Sequence, residues 1–89
     1  MAALDLLGRR WSLRLVWELR AGPVGARALR DHCDGMSSSV LYQRLTELGQ
    51  AGLVEKNADG AYALTEIGAG LIGAIGPLDA WAKEWALRG

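Results

Sequence analysis

The sequence contains one cysteine and one histidine, Cys33 and His32. A single cysteine cannot form a disulfide within the chain, and one Cys with one His is too few ligands for a structural metal site. On a helix, adjacent side chains point about 100° apart, so these two are not placed as a nucleophile and its base. The sequence also lacks a glycine-rich phosphate loop. We therefore expect no catalytic residue, no metal and no cofactor, and hence no enzyme.

The sequence also lacks a net charge and a long apolar run. Ten basic residues balance ten acidic ones. The longest weakly polar run, Ile67–Leu78, is shorter than the roughly 20 residues that cross a bilayer. Asp5 within the first apolar stretch, followed by Arg9 and Arg10, is the wrong order for a signal peptide. We therefore expect a cytoplasmic protein with no membrane partner.

Charge is unevenly distributed between the two halves of the chain. Residues 1–44 contain seven basic and four acidic side chains, a balance of +3, and residues 45–89 contain three basic and six acidic ones, a balance of −3. A positive half could face phosphate groups, although ordinary scatter of solvated charges explains these counts at least as well. With 89 residues there is room for one modest core, and we predict a single domain over residues 1–89.

Apolar spacing predicts short helices in the first half of the chain. The predicted helices are a first one around Leu4–Leu7, a second one that Ser12 caps and Gly22-Pro23 ends, and a third one over Ala26–Cys33. Cys33 falls on the apolar side of this third helix, which favours a buried structural role for it over thiol sensing.

A fourth helix is predicted over residues 37–51. Three consecutive serines, residues 37–39, offer N-cap groups, and Leu41, Leu45 and Leu48 form a stripe that we expect to be buried. A hairpin follows over residues 53–65, because strands at 53–58 and 61–65 flank an Asp-Gly pair. A last helix is predicted over residues 66–87, interrupted or kinked at Pro77. The order predicts a mainly α winged helix-turn-helix fold: four helices, a two-stranded wing and a C-terminal dimerisation helix.

The ordered motifs resemble those of the HxlR-type winged-helix regulators, relatives of the MarR group. They are Leu6-Leu7-Gly8-Arg9-Arg10-Trp11-Ser12, Gly22-Pro23, Gly35-Met36-Ser37 followed by Leu41, Arg44-Leu45 and Leu48, Ala51-Gly52-Leu53-Val54, and Tyr62-Ala63-Leu64-Thr65 with Gly68. The sequence departs from the family pattern at Gly25-Ala26, where an Arg-Phe pair is usual, and at Ser39, where a lysine is common. The resemblance implies a bacterial transcription regulator that binds DNA as a homodimer.

The second helix of a helix-turn-helix pair lies in the major groove, so the fourth helix is the predicted recognition helix. Its outward face holds Ser39, Tyr42, Gln43, Thr46, Glu47 and Gln50. Gln43 is the best candidate for reading a base, because an amide pairs bidentately with adenine, and Arg44 on the flank suits a phosphate. The predicted DNA contacts are Ser37, Ser38, Ser39, Tyr42, Gln43, Arg44 and Thr46, with Lys56 and Asn57 from the wing.

Apolar residues of the last helix recur at spacings of three and four, as in a coiled-coil seam. Leu71, Ala74, Leu78, Trp81 and Trp85, together with Leu4 and Leu7 of the first helix, are the predicted dimer interface. Alternatively, one of the two tryptophans folds back onto the core of its own chain.

Two other functions stay open on the sequence alone. The thin basic patch also fits a winged helix that binds protein and not specific DNA. A small-molecule effector could bind in a pocket between the dimer helices, lined by Trp11, Trp17 or Trp81, and tune a DNA-binding regulator.

Overall fold

The computed structural model describes residues 2–88, with side chains from residue 5 onward. The helices are α1 (Ala2–Leu7), α2 (Ser12–Glu18), α3 (Ala26–His32), α4 (Ser38–Gln50) and α5 (Glu66–Arg88), and the strands β1 (Val54–Lys56) and β2 (Tyr62–Leu64) lie between α4 and α5. This order confirms the predicted winged helix-turn-helix fold. Both strands are shorter than predicted, because the residues nearest the turn and α5 make loop contacts instead of ladder pairs.

The core lies where α2, α3 and α4 meet the wing and the middle of α5. The prediction that α4 buries a leucine stripe is confirmed, since Leu41, Leu45 and Leu48 are 1%, 3% and 0% exposed. Burying each such side chain stabilises the fold by about 1.5–3 kcal/mol. The other buried apolar residues are Leu15, Val16, Leu19, Leu29, Cys33, Met36, Val54 and Ile75.

The start of α2 differs from the prediction. The N-cap position belongs to Trp11, whose φ of 79° lies in the left-handed region. Ser12 is the first residue of the helix itself and is buried, and its Oγ has no hydrogen-bond partner among the described residues. The prediction that Ser12 caps α2 is wrong, because the chain turns at Trp11 and the next side chain faces the core.

The wing is an antiparallel hairpin with a third, short partner. Its register pairs Val54 with Leu64 and Lys56 with Tyr62. The backbone of Val24, between α2 and α3, exchanges two hydrogen bonds of 2.9 Å with Tyr62 and so ties the wing to the helices. The tight turn predicted at the Asp-Gly pair is present, and Gly60 adopts the left-handed φ of 83° that such turns need.

α5 begins at a threonine cap and then continues without a break. The Oγ1 of Thr65 accepts a hydrogen bond from the Gly68 N–H at 3.1 Å and donates one to the Gly52 carbonyl at 2.5 Å. The interruption predicted at Pro77 does not occur, and the helix continues to Arg88. The residue before the proline is Gly76, which has no Cβ to clash with the proline ring.

Candidate nucleic-acid interface

The helix-turn-helix unit consists of α3, the turn over residues 33–37 and α4. Ser37 is the N-cap of α4, and its Oγ accepts a hydrogen bond from the Val40 N–H at 3.2 Å. The Ser37 and Ser39 hydroxyls lie 3.3 Å apart. Capping satisfies one of the free N–H groups that begin every helix, so the turn sets where α4 starts.

A cluster of charged side chains holds α3 against α2. The Glu18 carboxylate lies 2.8 Å from Arg14 Nε and 3.2 Å from His32 Nδ1. The same arginine also donates to the His32 carbonyl at 2.8 Å. These contacts join the second helix to the end of the third.

The outward face of α4 is polar and open to solvent. Ser39, Gln43 and Thr46 are exposed, and Tyr42 is 52% exposed. Ser37, Ser38 and Gln50 are also exposed at the two ends of the helix. The structure therefore exposes six of the seven DNA contacts predicted on α4, namely Ser37, Ser38, Ser39, Tyr42, Gln43 and Thr46.

Arg44 faces the body of the domain. Its side chain is 14% exposed, Nε donates to the Arg10 carbonyl at 2.9 Å and Nη1 donates to Glu47 Oε1 at 3.0 Å. Glu47, which spacing placed on the outward face, is only 22% exposed and lies 3.5 Å from Arg9 Nη1. This geometry favours an anchoring role, with Arg44 joining α4 to the turn between α1 and α2, over the predicted phosphate contact.

The wing contributes one cation, Lys56, and a hairpin turn that the side chain of Asn57 stabilises. Lys56 is exposed, and its Nζ lies 5.7 Å from the centre of the Tyr62 ring. The Oδ1 of Asn57 accepts hydrogen bonds from the N–H groups of Asp59 and Ala61, at 3.0 and 3.1 Å. Asn57 thus shapes the hairpin turn through its side-chain oxygen, a role that its position in the sequence did not indicate.

Two arginines that the sequence analysis did not select lie beside the start of α4. Arg27 and Arg30 are exposed on α3 and line the groove between α3 and α4 together with Ser37, Ser38 and Tyr42. Their spacing of three on a predicted helix was a signal that they share a face. The sequence did not show which surface that face would adjoin.

The face of α5 predicted to form a dimer interface is largely uncovered. Leu78, Trp81 and Trp85 are 52%, 58% and 66% exposed, Ala74 is exposed, and Leu71 and Leu7 are partly buried. The side chain of Leu4 lies outside the described residues. The alternative that one tryptophan folds back onto the core is wrong, because both side chains are more than half exposed. The two indoles stack on each other instead, with ring centres 5.6 Å apart and planes at 13°.

The family model of HxlR-like helix-turn-helix proteins matches residues 6–89. The chain belongs to this family. It is 30% identical to the HTH-type transcriptional regulator YvaP of Bacillus subtilis, over 93% of this chain and 82% of that protein. It is also 30% identical to the regulator YodB of the same organism, over 99% of this chain and 84% of that protein. The structure superposes on quinone-bound YodB with a TM-score of 0.86 and 32% identity, over 93% of both chains.

This HxlR-like protein is a DNA-binding transcription regulator, as its family and its relatives establish. Between residues 2 and 88, none of the helices combines the length and apolar character that crossing a membrane requires. The same stretch of chain holds no group of three or more His, Cys, Asp or Glu side chains placed to bind a metal ion.

Cys33 of this regulator is a buried side chain, as predicted. It is 1% exposed. Burial raises the pKa of its thiol above the usual range, with Arg14 opposing the shift and Glu18 and Asp34 adding to it. Since the thiolate is the reactive form, a buried thiol with a raised pKa is a weak nucleophile at neutral pH.

The folded regulator is therefore expected to react with the thiol reagent DTNB at least roughly a hundredfold more slowly than the unfolded chain at the same pH, because reaction requires the core to open. Absorbance stopped-flow measurements with and without denaturant compare the two rates. A native rate equal to the unfolded rate would show that Cys33 is accessible, contrary to this prediction.

Proposed function

We propose that the regulator binds double-stranded DNA in the cytoplasm as a homodimer, with α4 of each subunit in the major groove. The observation that supports this is the outward face of α4, where Ser39, Tyr42, Gln43 and Thr46 are exposed on a helix whose other side is fully packed. The major groove of B-DNA admits an α-helix, and it displays a distinct pattern of hydrogen-bonding groups for each base pair. The cap at Ser37 and the anchor at Arg44 hold this face in place.

Within this proposal, the exposed polar side chains divide between bases and backbone. Gln43 pairs with an adenine edge, and Tyr42 and Thr46 contact neighbouring base edges or sugars. The Ser38 and Ser39 hydroxyls at the start of α4 donate to phosphate oxygens. On the wing, Lys56 approaches the DNA backbone. The Oδ1 of Asn57 is engaged in the turn, which leaves its amide NH₂ as the group available to a phosphate.

Replacing Gln43 by alanine is expected to relax preference at one base pair of each half-site, by roughly tenfold in relative affinity, because a bidentate base contact contributes about 1–3 kcal/mol of discrimination. Competition binding with duplexes that differ at single positions measures this preference. Gln50→Ala is the matched control, since Gln50 is the same residue type, exposed on the last turn of α4. Equal loss of discrimination in both variants would contradict the assignment of Gln43.

Selection of bound DNA from a random pool tests the proposal as a whole. A two-fold symmetric site, with half-sites about one helical turn apart, is expected for a symmetric dimer with two recognition helices. Failure to bind any duplex at low salt would favour the alternative of a winged helix that binds protein.

A small-molecule effector would act through the same dimer in this proposal. YodB has been solved in a quinone-bound form. In the present chain an apolar groove between α1, α2 and α5 adjoins the exposed face of α5 and is lined by Leu7, Leu13, Leu71 and Ile75 among others. None of the three tryptophans predicted to line an effector pocket lies in this groove. A ligand seated there would alter how two copies pack. Sedimentation of the regulator with and without para-benzoquinone tests this idea, and an unchanged monomer–dimer distribution would exclude it for that ligand.

A further inference from the structure

The recognition helix has no cation free to meet a phosphate. Arg44 is the single basic residue of α4. Its guanidinium is committed to the Arg10 carbonyl and the Glu47 carboxylate. DNA binding by helix-turn-helix proteins depends strongly on cationic contacts to the backbone. The regulator must therefore obtain those contacts from an element next to α4.

Lys56 of the wing, whose Nζ lies 5.7 Å from the centre of the Tyr62 ring, is already assigned to the DNA backbone, and most other cations contact a carboxylate or an aromatic ring. Carboxylates pair with Arg9, Arg14, Lys83 and Arg88, at distances of 3.5, 2.8, 3.2 and 3.0 Å. The guanidinium groups of Arg10 and Arg20 lie over the rings of Trp11 and Trp17, at 5.3 and 4.2 Å. Among the described residues, Arg27 and Arg30 of α3 make neither kind of contact.

Arg27 and Arg30 pair with no carboxylate among the side chains of residues 5–88. Arg30 makes one long hydrogen bond, from Nε to the Met36 carbonyl at 3.4 Å, and this contact directs the side chain toward the turn before α4. Both arginines are exposed, and three residues apart on a helix they share one side. They line the same groove as Ser37 and Ser38, the residues that start α4.

The acidic residues of this groove limit where an anion can bind. Asp31 and Asp34 also line it and are exposed. With two arginines and two aspartates, the groove has no net charge to attract anions from a distance. A phosphate must therefore contact the guanidinium groups directly, where the planar fork of N–H donors matches its oxygens.

We propose that Arg27 and Arg30 form the phosphate clamp of the regulator, holding the DNA backbone beside the recognition helix. The proposal rests on the proposed function, since it requires α4 in the major groove. In a helix-turn-helix unit the first helix crosses the backbone while the second reads the bases, and α3 is that first helix here. The clamp sets affinity for every sequence alike, and the outward face of α4 sets the preference among sequences.

The experiment measures affinity against salt concentration for the selected palindrome and for a mixed-sequence duplex of the same length. Each phosphate contact contributes a slope of about 0.9 in log affinity against log salt, so losing one arginine from both subunits is expected to reduce the slope by roughly 2. At about 0.1 M salt, Arg27→Gln or Arg30→Gln is expected to weaken binding to both duplexes by roughly tenfold or more. The ratio of the two affinities is expected to stay unchanged.

Three further variants separate charge from fold. Lys83→Gln also removes one positive charge, on an exposed position of α5, and is expected to leave the slope unchanged. Arg30→Lys keeps the charge and is expected to retain most of the slope. Asp31→Asn removes a negative charge from the groove and is expected to strengthen binding to both duplexes. Thermal unfolding confirms that each variant is folded.

The outcomes distinguish this inference from the function on which it rests. A wild-type slope in the folded Arg27→Gln/Arg30→Gln double variant overturns the clamp while DNA binding stands. A change in sequence preference, without a change in slope, assigns these arginines to base reading and also overturns the clamp. Absence of wild-type binding to any duplex at low salt overturns the proposed function and the clamp together.

Discussion

Replacing Gly68 by alanine is expected to lower the free energy of unfolding by about 2 kcal/mol, because a Cβ at this position has no space. The atom would overlap the backbone carbonyl of Leu53, and the main chain cannot move aside as a flexible side chain can. That carbonyl also accepts the Thr65 N–H at 3.0 Å, at the junction between the wing and α5. Relief of the overlap would push the first turn of α5 off the α4–β1 loop and weaken the burial of Ile75.

Thermal or denaturant unfolding of the two proteins measures this loss, which corresponds to a fall of roughly 10 °C in the unfolding midpoint for a domain of this size. Gly70→Ala is the matched control. A Cβ at Gly70 meets nothing within 4 Å, so this variant is expected to gain up to about 1 kcal/mol from helix propensity alone. Equal stability of the two variants would show that the contact between α5 and Leu53 is looser than the structure has it.

Replacing Leu78 by glutamate is expected to convert the proposed dimer to a monomer and to weaken binding to a palindromic site by about a hundredfold or more, because two linked recognition helices bind far more tightly than one. Leu78 lies on the exposed face of α5 with the stacked pair Trp81 and Trp85. A carboxylate on this face would be buried without a partner when two copies meet. In the monomer the same carboxylate stays in water, so the fold itself is preserved.

Sedimentation equilibrium and competition binding test the two parts of this prediction. Leu87→Glu is the matched control, since Leu87 is 89% exposed on the same helix but lies off the repeating seam. It is expected to remain dimeric and to bind like the wild type. A wild-type protein that is monomeric at micromolar concentration, or a Leu78→Glu variant that is still dimeric, would contradict the proposed interface.

Much of the fold was predictable because its signals are local. The serine cap and leucine stripe of α4 act between residues one to four positions apart, and the Asp-Gly pair at residues 59–60 shapes a turn within its own hairpin. Local signals were less reliable at the edges of elements. Serine is a residue type that favours the N-cap position, yet Trp11 and not Ser12 is the N-cap of α2. Packing of Ser12 against the core outweighs its capping preference.

The candidate site was predictable only in part. The leucine stripe determined which face of α4 points outward, so Tyr42, Gln43 and Thr46 could be chosen from spacing alone. Arg44 could not be assigned in this way, because its partners depend on a contact with Arg10, which is 34 residues earlier in the chain. Spacing alone likewise could not show that Asn57 uses its side chain to close the hairpin turn.

The sequence by itself determined the order of elements, the buried leucine stripe of α4 and the family. Only the tertiary structure decided which cations are free and which are engaged, that Arg27 and Arg30 stand beside the start of α4, and that Gly68 touches the Leu53 backbone. The physical reason is the range of the interactions. Helix periodicity, capping and turn chemistry act over a few residues, whereas a side chain's charge partner and free space depend on which distant segments the fold brings together.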